Sequence, residues 1–222
     1  MHKMGSFIIF HFHYQWEELP SRRALLLLLA AVVTAMAACG SNSTSSEVSD
    51  IVDDVAHCQG LRWPVKTGTD QDAGKVSLTP EATTIDALVS LPSPDSFPED
   101  HRIAPTELTT FQLTNVTMTH FERSLDGDIS MTLSDGQNHM QAEIPDPDCV
   151  GSSSPFAGQI AAARQVFEQR FPTGASQDTN IPVTVVGVGF FDVPHQIEGA
   201  APNFIELHPV LNLCFEQDCT LP

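Results

Sequence analysis

From Thr106 onward the chain alternates. Phe111 and Leu113 stand between polar neighbours, then Val116, Met118 and His120 repeat the alternation in the opposite parity. Period two marks a half-buried strand, and a parity switch inside one run places an extra residue in it, which is a β-bulge. A bulged strand bends and twists more than a straight one, and this suits a sheet that closes on itself. Leu125-Asp126-Gly127-Asp128 then supplies a hairpin turn, and Ile129, Met131 and Leu133 a second strand. A further turn over 134–138 leads to Met140, Ala142 and Ile144, which stop at Pro145. The three strands form a meander.

The period then changes. Ser154 can cap a helix with Pro155 at its first position, and Phe156, Ile160, Ala163, Phe167 and Phe171 fall along one helical face before Thr173-Gly174 ends it. Two strands follow. One, over 181–193, is rich in Val with Gly187 and Gly189 inside it; the other, over 204–215, sets Ile205, Leu207, Leu211 and Leu213 on one side. A long loop over 194–203 joins them. This order predicts a mainly β fold, a five-stranded OB-like Greek-key barrel with one helix between strands 3 and 4. A generic α+β sandwich with a single helix on one face is the alternative. Residues 57–105 are irregular and punctuated by Pro80, Pro92, Pro94, Pro98 and Pro105. Only 84–91 predicts a short helix there, capped by Thr83 or Thr84. The stretch reads as an extension that wraps a domain spanning 106–222, with Trp63 as its packing anchor.

Upstream, Arg22-Arg23 precede an apolar run over 24–33 and small residues ending in Met36-Ala37-Ala38-Cys39. Two positive charges, about ten apolar residues and a small-residue site predict a bacterial secretory signal over 1–38, with a core too short to span a membrane comfortably. The last four residues resemble the lipobox of bacterial lipoproteins, in which the Cys receives diacylglycerol. That resemblance implies a chain exported and anchored to a bacterial membrane through Cys39; secretion without a lipid is the alternative. Residues 39–56 are a Ser-rich flexible tether with a reach of roughly 20–25 Å. Residues 1–20 are long for the start of a signal and fit a translation start assigned too far upstream. His2, His11 and His13 fall there and are not metal-ligand candidates.

Beyond the leader the chain carries seven basic residues against 26 acidic ones. Nucleic-acid affinity rests on Lys and Arg neutralising phosphates, so this balance argues against a nucleic-acid partner. From Thr106 onward the only basic side chains are Arg123, Arg164 and Arg170. Cys58, Cys149, Cys214 and Cys219 form an even set in an oxidising compartment, which allows two disulfides in three pairings. A bond could staple either the N-terminal segment or the C-terminal tail to the domain. The Cys214 to Cys219 spacing is not C-x-x-C, so neither a zinc ribbon nor a thioredoxin-type pair is indicated.

Chemistry concentrates on the last two strands. Glu206 and His208, at i and i+2, share a face, and pairing of 191–192 with 205–206 would bring Asp192 close, with His195 at the loop mouth. Two carboxylates and an imidazole suit a divalent metal or a general base. A second acidic group, Glu143, Asp146 and Asp148 beside Cys149, reads mainly as a solvated turn with calcium as its other use. The segment from Asp70 to Gly74 lacks the glycine register and closing glutamate of a calcium loop, and Lys66-Thr67-Gly68-Thr69 lacks the full phosphate-loop pattern.

The chain also resembles a family of uncharacterised bacterial exported proteins and lipoproteins. The resemblance is carried by Trp63-Pro64-Val65-Lys66-Thr67-Gly68-Thr69-Asp70, Leu133-Ser134-Asp135-Gly136, Ala142-Glu143-Ile144-Pro145-Asp146-Pro147, Gly187-Val188-Gly189-Phe190-Phe191-Asp192, Ala201-Pro202-Asn203 and Ile205-Glu206-Leu207-His208-Pro209-Val210. It implies an exported module and leaves its activity open, since no activity is assigned to that family. The leading expectation is therefore a lipid-anchored extracytoplasmic binding module for a protein, glycan or small-molecule ligand. The alternatives are a divalent-metal-assisted hydrolase of phosphoesterase or nuclease type, using Asp192, Glu206 and His208, and a structural envelope protein.

Overall fold

The computed structural model describes residues 57–195 and 198–215. The expected signal, Cys39, the tether and Cys219 lie outside them. Six strands are present: β1 (Ser77–Thr83), β2 (Thr109–Arg123), β3 (Ile129–Ser134), β4 (His139–Ile144), β5 (Ser176–Phe191) and β6 (Ile205–Phe215). They form one mixed sheet in the order β1-β2-β3-β4-β6-β5, and β5 pairs back onto β2 to close a ring of hydrogen bonds. β1 with β2 and β4 with β6 run parallel; the other pairs are antiparallel.

β2 pairs with β5 along one edge and with β1 and then β3 along the other, and its register against β5 shifts twice, between Leu113 and Val116 and between Met118 and His120. Asn115 occupies the first shift at φ +55°, a left-handed conformation that Asn tolerates. Inside the ring stand Leu113, Met118 and Phe121 from β2, Ile129, Met131 and Leu133 from β3, and Met140, Ala142 and Ile144 from β4, all sealed from solvent. Full burial of such side chains is worth about 1.5–3 kcal/mol each. β5 adds Val183 and Val185, and β6 adds Ile205 and Leu207.

Among the described residues three α-helices join the strands: α1 (Trp63–Thr67), α2 (Ile85–Val89) and α3 (Ala157–Arg170). α3 buries Ile160, Ala163 and Phe167, and the Phe167 ring meets Phe121 edge-on at 5.0 Å. Its cap is Phe156 rather than Ser154, whose hydroxyl accepts a hydrogen bond from the Phe156 amide one step earlier. α2 begins as expected from Thr84, whose hydroxyl accepts from the Ala87 amide. Gly187 and Gly189 serve close approach. A Cβ at Gly187 would lie 2.8 Å from Leu207 Cβ, and one at Gly189 2.7 Å from the Thr106 carbonyl.

The expectation of five strands and one helix is not matched as stated. β1 is a sixth strand, almost wholly exposed and interrupted by Pro80. Its side chains carry no apolar alternation, and only its backbone pairing with β2 makes it a strand. β5 starts at Ser176 because its polar first residues pair with the end of β2. Trp63 is only half-buried, and the anchor beside it is Arg62, which is fully buried. The Arg62 guanidinium meets both oxygens of Glu107 at 2.7 and 2.8 Å and donates to the Phe191 carbonyl. Glu107 in turn accepts from the amides of Ile103 and Phe191. Arg102 binds Asp70 in a second buried pair. Cys58 and Cys149 are joined in a disulfide, which staples the N-terminal segment. Cys214 is disulfide-bonded as well.

Candidate functional site

Register sets the site. Ser130 on β3 faces Glu143 on β4, Gln141 on β4 faces Glu206 on β6, and Glu206 faces Phe190 on β5. Because side chains alternate along a strand, the apolar residues between these point into the ring. The opposite face collects Asp128, Ser130, Gln141, Glu143, Glu206, His208 and Phe190. Around Phe190 and His208 that face is covered by α1, with Arg62 and Lys66 placed above the Phe190 ring at 4.7 and 5.6 Å. The result is a layer of charged side chains between the ring and α1.

His208 is the centre of that layer and is fully buried. Its Nδ1 lies 3.1 Å from Glu206 Oε1 and 3.2 Å from Glu143 Oε2. Its Nε2 lies 3.3 Å from Asp128 Oδ2, at an angle that makes no hydrogen bond. Both oxygens of Asp128 and Nε2 of His208 thus lack a hydrogen-bond partner among the described residues. Lys66 pairs with Asp192 at 3.8 Å. Burial alone would lower the Lys66 ammonium, but the fields of Glu143, Glu206, Asp192 and Asp128 outweigh it and raise it. Burial likewise opposes a charged His208, and its three carboxylate partners raise it well above its usual value. Glu143 is held down to about 2 because His208, then Lys66 and Ser130, outweigh burial. Glu206 is pushed up to about 8, by burial first and then by the charges of Glu143 and Asp192.

The expected constellation is therefore brought together in part. Glu206 and His208 touch, whereas Asp192 turns to Lys66 and to His195, 3.5 Å from the His195 ring. His195 stands half-exposed at the loop mouth and bonds the Val193 carbonyl. The second acidic group is split apart. Glu143 points to His208, while Asp146 accepts from the Asp148 amide and caps a short 3₁₀ turn. His57 approaches the Cys149 sulfur at 3.5 Å, but both sulfurs there belong to the disulfide. Asp128 and Lys66 were not singled out by sequence for this site. Asp128 lay within a turn motif, and the signal that could have found it is its i, i+2 spacing to Ser130, which puts the two on one face. The segments that carry the family resemblance supply Lys66, Glu143, Phe190, Asp192, Glu206 and His208 to this one place.

Beside the charged layer a cleft of about 560 Å³ crosses β2, β3 and β4, lined by His120, Glu122, Ser130, Thr132, His139 and Gln141 among others. Ser130 and Gln141 belong to both regions. At its edge Ser176 Oγ lies 3.2 Å from His120 Nε2, and His120 Nδ1 lies 2.8 Å from Asp178. This has the connectivity of a Ser-His-Asp triad, but the Asp178 side chain is 96% exposed, so water screens the charge that would orient the imidazole. A larger groove, about 1020 Å³, lies between β1 and α3 and reaches Phe215, where the chain continues into 216–222.

No protein-family model matches the chain, and no curated protein matches it. Among solved structures it is similar to an asparaginyl-tRNA synthetase of Entamoeba histolytica, with 13% identity over 51% of this chain and 21% of that one and a TM-score of 0.31. It is also similar to a protein described as an aspartyl-tRNA synthetase from Leishmania major Friedlin, with 13% identity over 78% of this chain and 26% of that one and a TM-score of 0.36. The chain spans about a fifth to a quarter of the length of these proteins. Likenesses this distant carry no argument about what it does.

Proposed function

We propose that the chain is an extracytoplasmic binding module, an OB-like barrel tethered to a bacterial membrane through a lipidated Cys39, whose ligand lies in the cleft over β2, β3 and β4. The observation that carries the reading is that cleft. It is roomy enough for a small ligand and lined by hydroxyls, an amide, imidazoles and carboxylates, while the charged layer beside it is buried except at its edge. Its lining suits a ligand rich in hydroxyl or amine groups, such as a glycan fragment or a small cationic molecule. The barrel reading is supported by the ring order β2-β3-β4-β6-β5, returning to β2, with α3 between its third and fourth strands. Arg62, Lys66, Arg102 and Arg164 are all buried, which leaves few cations to meet a nucleic acid. No helix among the described residues is long and apolar enough to cross a membrane.

Saturation-transfer NMR of the chain from Cys39 onward against a panel of sugars and polyamines tests the ligand. Binding that disappears in His139→Trp, a substitution that fills the cleft from its exposed rim, is the expected outcome. A panel with no binder, or binding unaffected by that substitution, would contradict the cleft. Fatty-acid labelling in a bacterial host that is lost in Cys39→Ser is expected for the anchor; labelling that persists would overturn it.

One observation favours the hydrolase reading, in which Asp192, Glu206 and His208 act with a divalent metal cofactor. A carboxyl group pushed up to about 8 suits proton transfer near neutral pH. Against it, the void adjoining Glu206, Asp192 and His195 measures only about 10 Å³, barely room for one water. Phosphodiester hydrolysis with added Mn²⁺ or Zn²⁺ that is abolished in Glu206→Gln would establish this reading; no hydrolysis would remove it.

A further inference from the structure

We propose that Asp128, Glu143 and His208 form a binding site for one borderline divalent cation of the zinc class, buried between the ring and α1. The site goes beyond the ligand cleft and stands whether or not that cleft is occupied. Its donor atoms, Asp128 and Glu143 oxygens and a His208 nitrogen, all lie within 4.8 Å of one another. They come from the β3 entry, β4 and β6, rigid parts of the ring whose register fixes their spacing.

The independent sign is the set of atoms left without hydrogen bonds. Asp128 is fully buried, yet neither of its oxygens accepts a hydrogen bond from a described residue, and its ion-pair neighbour is His208 Nε2, which makes no hydrogen bond either. A buried carboxylate without hydrogen bonds costs several kcal/mol, roughly, unless a cation meets it. His208 Nε2 and Asp128 Oδ2 stand 3.3 Å apart. Two ligands about 2.05 Å from a tetrahedral ion are separated by about 3.3 Å, so this pair already has the spacing of adjacent metal ligands.

The other ring nitrogen completes the arrangement. His208 Nδ1 is hydrogen-bonded to Glu206 at 3.1 Å, the contact that fixes tautomer and ring orientation in metal-binding histidines, and Glu143 Oε2, 3.2 Å from the same nitrogen, must turn toward Nε2 to become the third ligand. At Nε2 a cation takes the place of a proton. Lys66 does not block the position, because its ammonium pairs with Asp192 and with none of the three donors. Solvent reaches the edge of the layer at the Glu143, Asp192 and Lys66 side chains, each about a tenth exposed, which gives a bare ion a way in. The donor chemistry selects the class. An imidazole with carboxylates suits zinc or manganese, whereas calcium takes six to eight oxygens.

The test is zinc binding to the chain from Cys39 onward with Cys39→Ser, which removes a competing thiol. After stripping with chelator and reloading, one equivalent of Zn²⁺ is expected, with a rise in melting temperature. Co²⁺ in its place should give visible ligand-field bands without thiolate charge transfer, which rules cysteine out as the ligand. Asp128→Asn keeps the shape of the side chain; it and His208→Gln should each weaken Zn²⁺ binding by at least about 100-fold, and Glu206→Gln by about 10–100-fold. Folding of each variant is checked by circular dichroism. The wild-type result needs no variant, so less than a tenth of an equivalent of zinc with no thermal shift overturns the site. So does wild-type affinity in a folded Asp128→Asn.

Discussion

A single imidazole organises the interior of this protein. His208 sits among Asp128, Glu143 and Glu206, and its neighbours divide into a carboxylate held down to about 2 and another pushed up to about 8. In metal-free protein this has a definite sign. Glu206 binds its proton more tightly when folded, so its contribution to stability is full below its ordinary 4.5 and is lost as pH rises through about 8. His208 acts in the same sense from its ordinary 6.5 upward. Glu143 acts oppositely, and its contribution is lost as pH falls from 4.5 toward about 2. Thermal unfolding in chelator should therefore be most resistant near pH 4.5 and decline from there toward about pH 8, and Glu206→Gln should flatten that decline. Stability that rises from pH 5 to 8 would contradict this assignment. Arg62 makes a second residue-scale case. Arg62→Ala leaves a buried Glu107 carboxylate and should cost about 3–5 kcal/mol in urea unfolding. The double variant Arg62→Met/Glu107→Leu should recover little, because the Ile103 and Phe191 amides lose the acceptor that Glu107 gave them.

At the scale of elements, strands, helix and turns answer to different physics. Two glycines make this measurable. Gly189→Ala would drive a Cβ to 2.7 Å from the Thr106 carbonyl, a backbone atom with little room to give, and should destabilise by about 1–3 kcal/mol. Gly158→Ala, in α3 with nothing within 4 Å of the added methyl, should stabilise by about 0.5–1 kcal/mol. Chemical denaturation of both reads the two signs; equal effects would refute the packing assigned to Gly189. β2, β3, β4 and β6 were legible from apolar residues kept to one face, β5 from its Val-rich run, and α3 because Phe156 to Phe171 follow a helical period. β1 was not legible, since an exposed edge strand with Pro80 has no burial to leave a period. At the site, the sharing of a face by Glu206 and His208 could be read from their spacing. That Asp128 and Glu143, rather than Asp192, would reach the imidazole could not be read, because cross-strand register lies outside any local pattern.

For the whole molecule, the acidic excess divides by location. Much of the scarce positive charge is spent inside: Arg62 on Glu107 and Arg102 on Asp70 brace residues 57–108 internally, Lys66 on Asp192 ties them to the ring, and the surface is left acidic. A ring held this way presents two grooves of different character, the polar cleft over β2, β3 and β4 and the more apolar one between β1 and α3. Which of them takes a ligand decides the function. The most direct test is an amide chemical-shift titration of the ¹⁵N-labelled chain from Cys39 onward with the best binder from the sugar and polyamine panel. Shifts confined to the neighbourhood of His120, Ser130, Thr132, His139 and Gln141 are expected. Shifts centred on Leu78, Val166 and Phe215 with the cleft unmoved would contradict a ligand site over β2, β3 and β4.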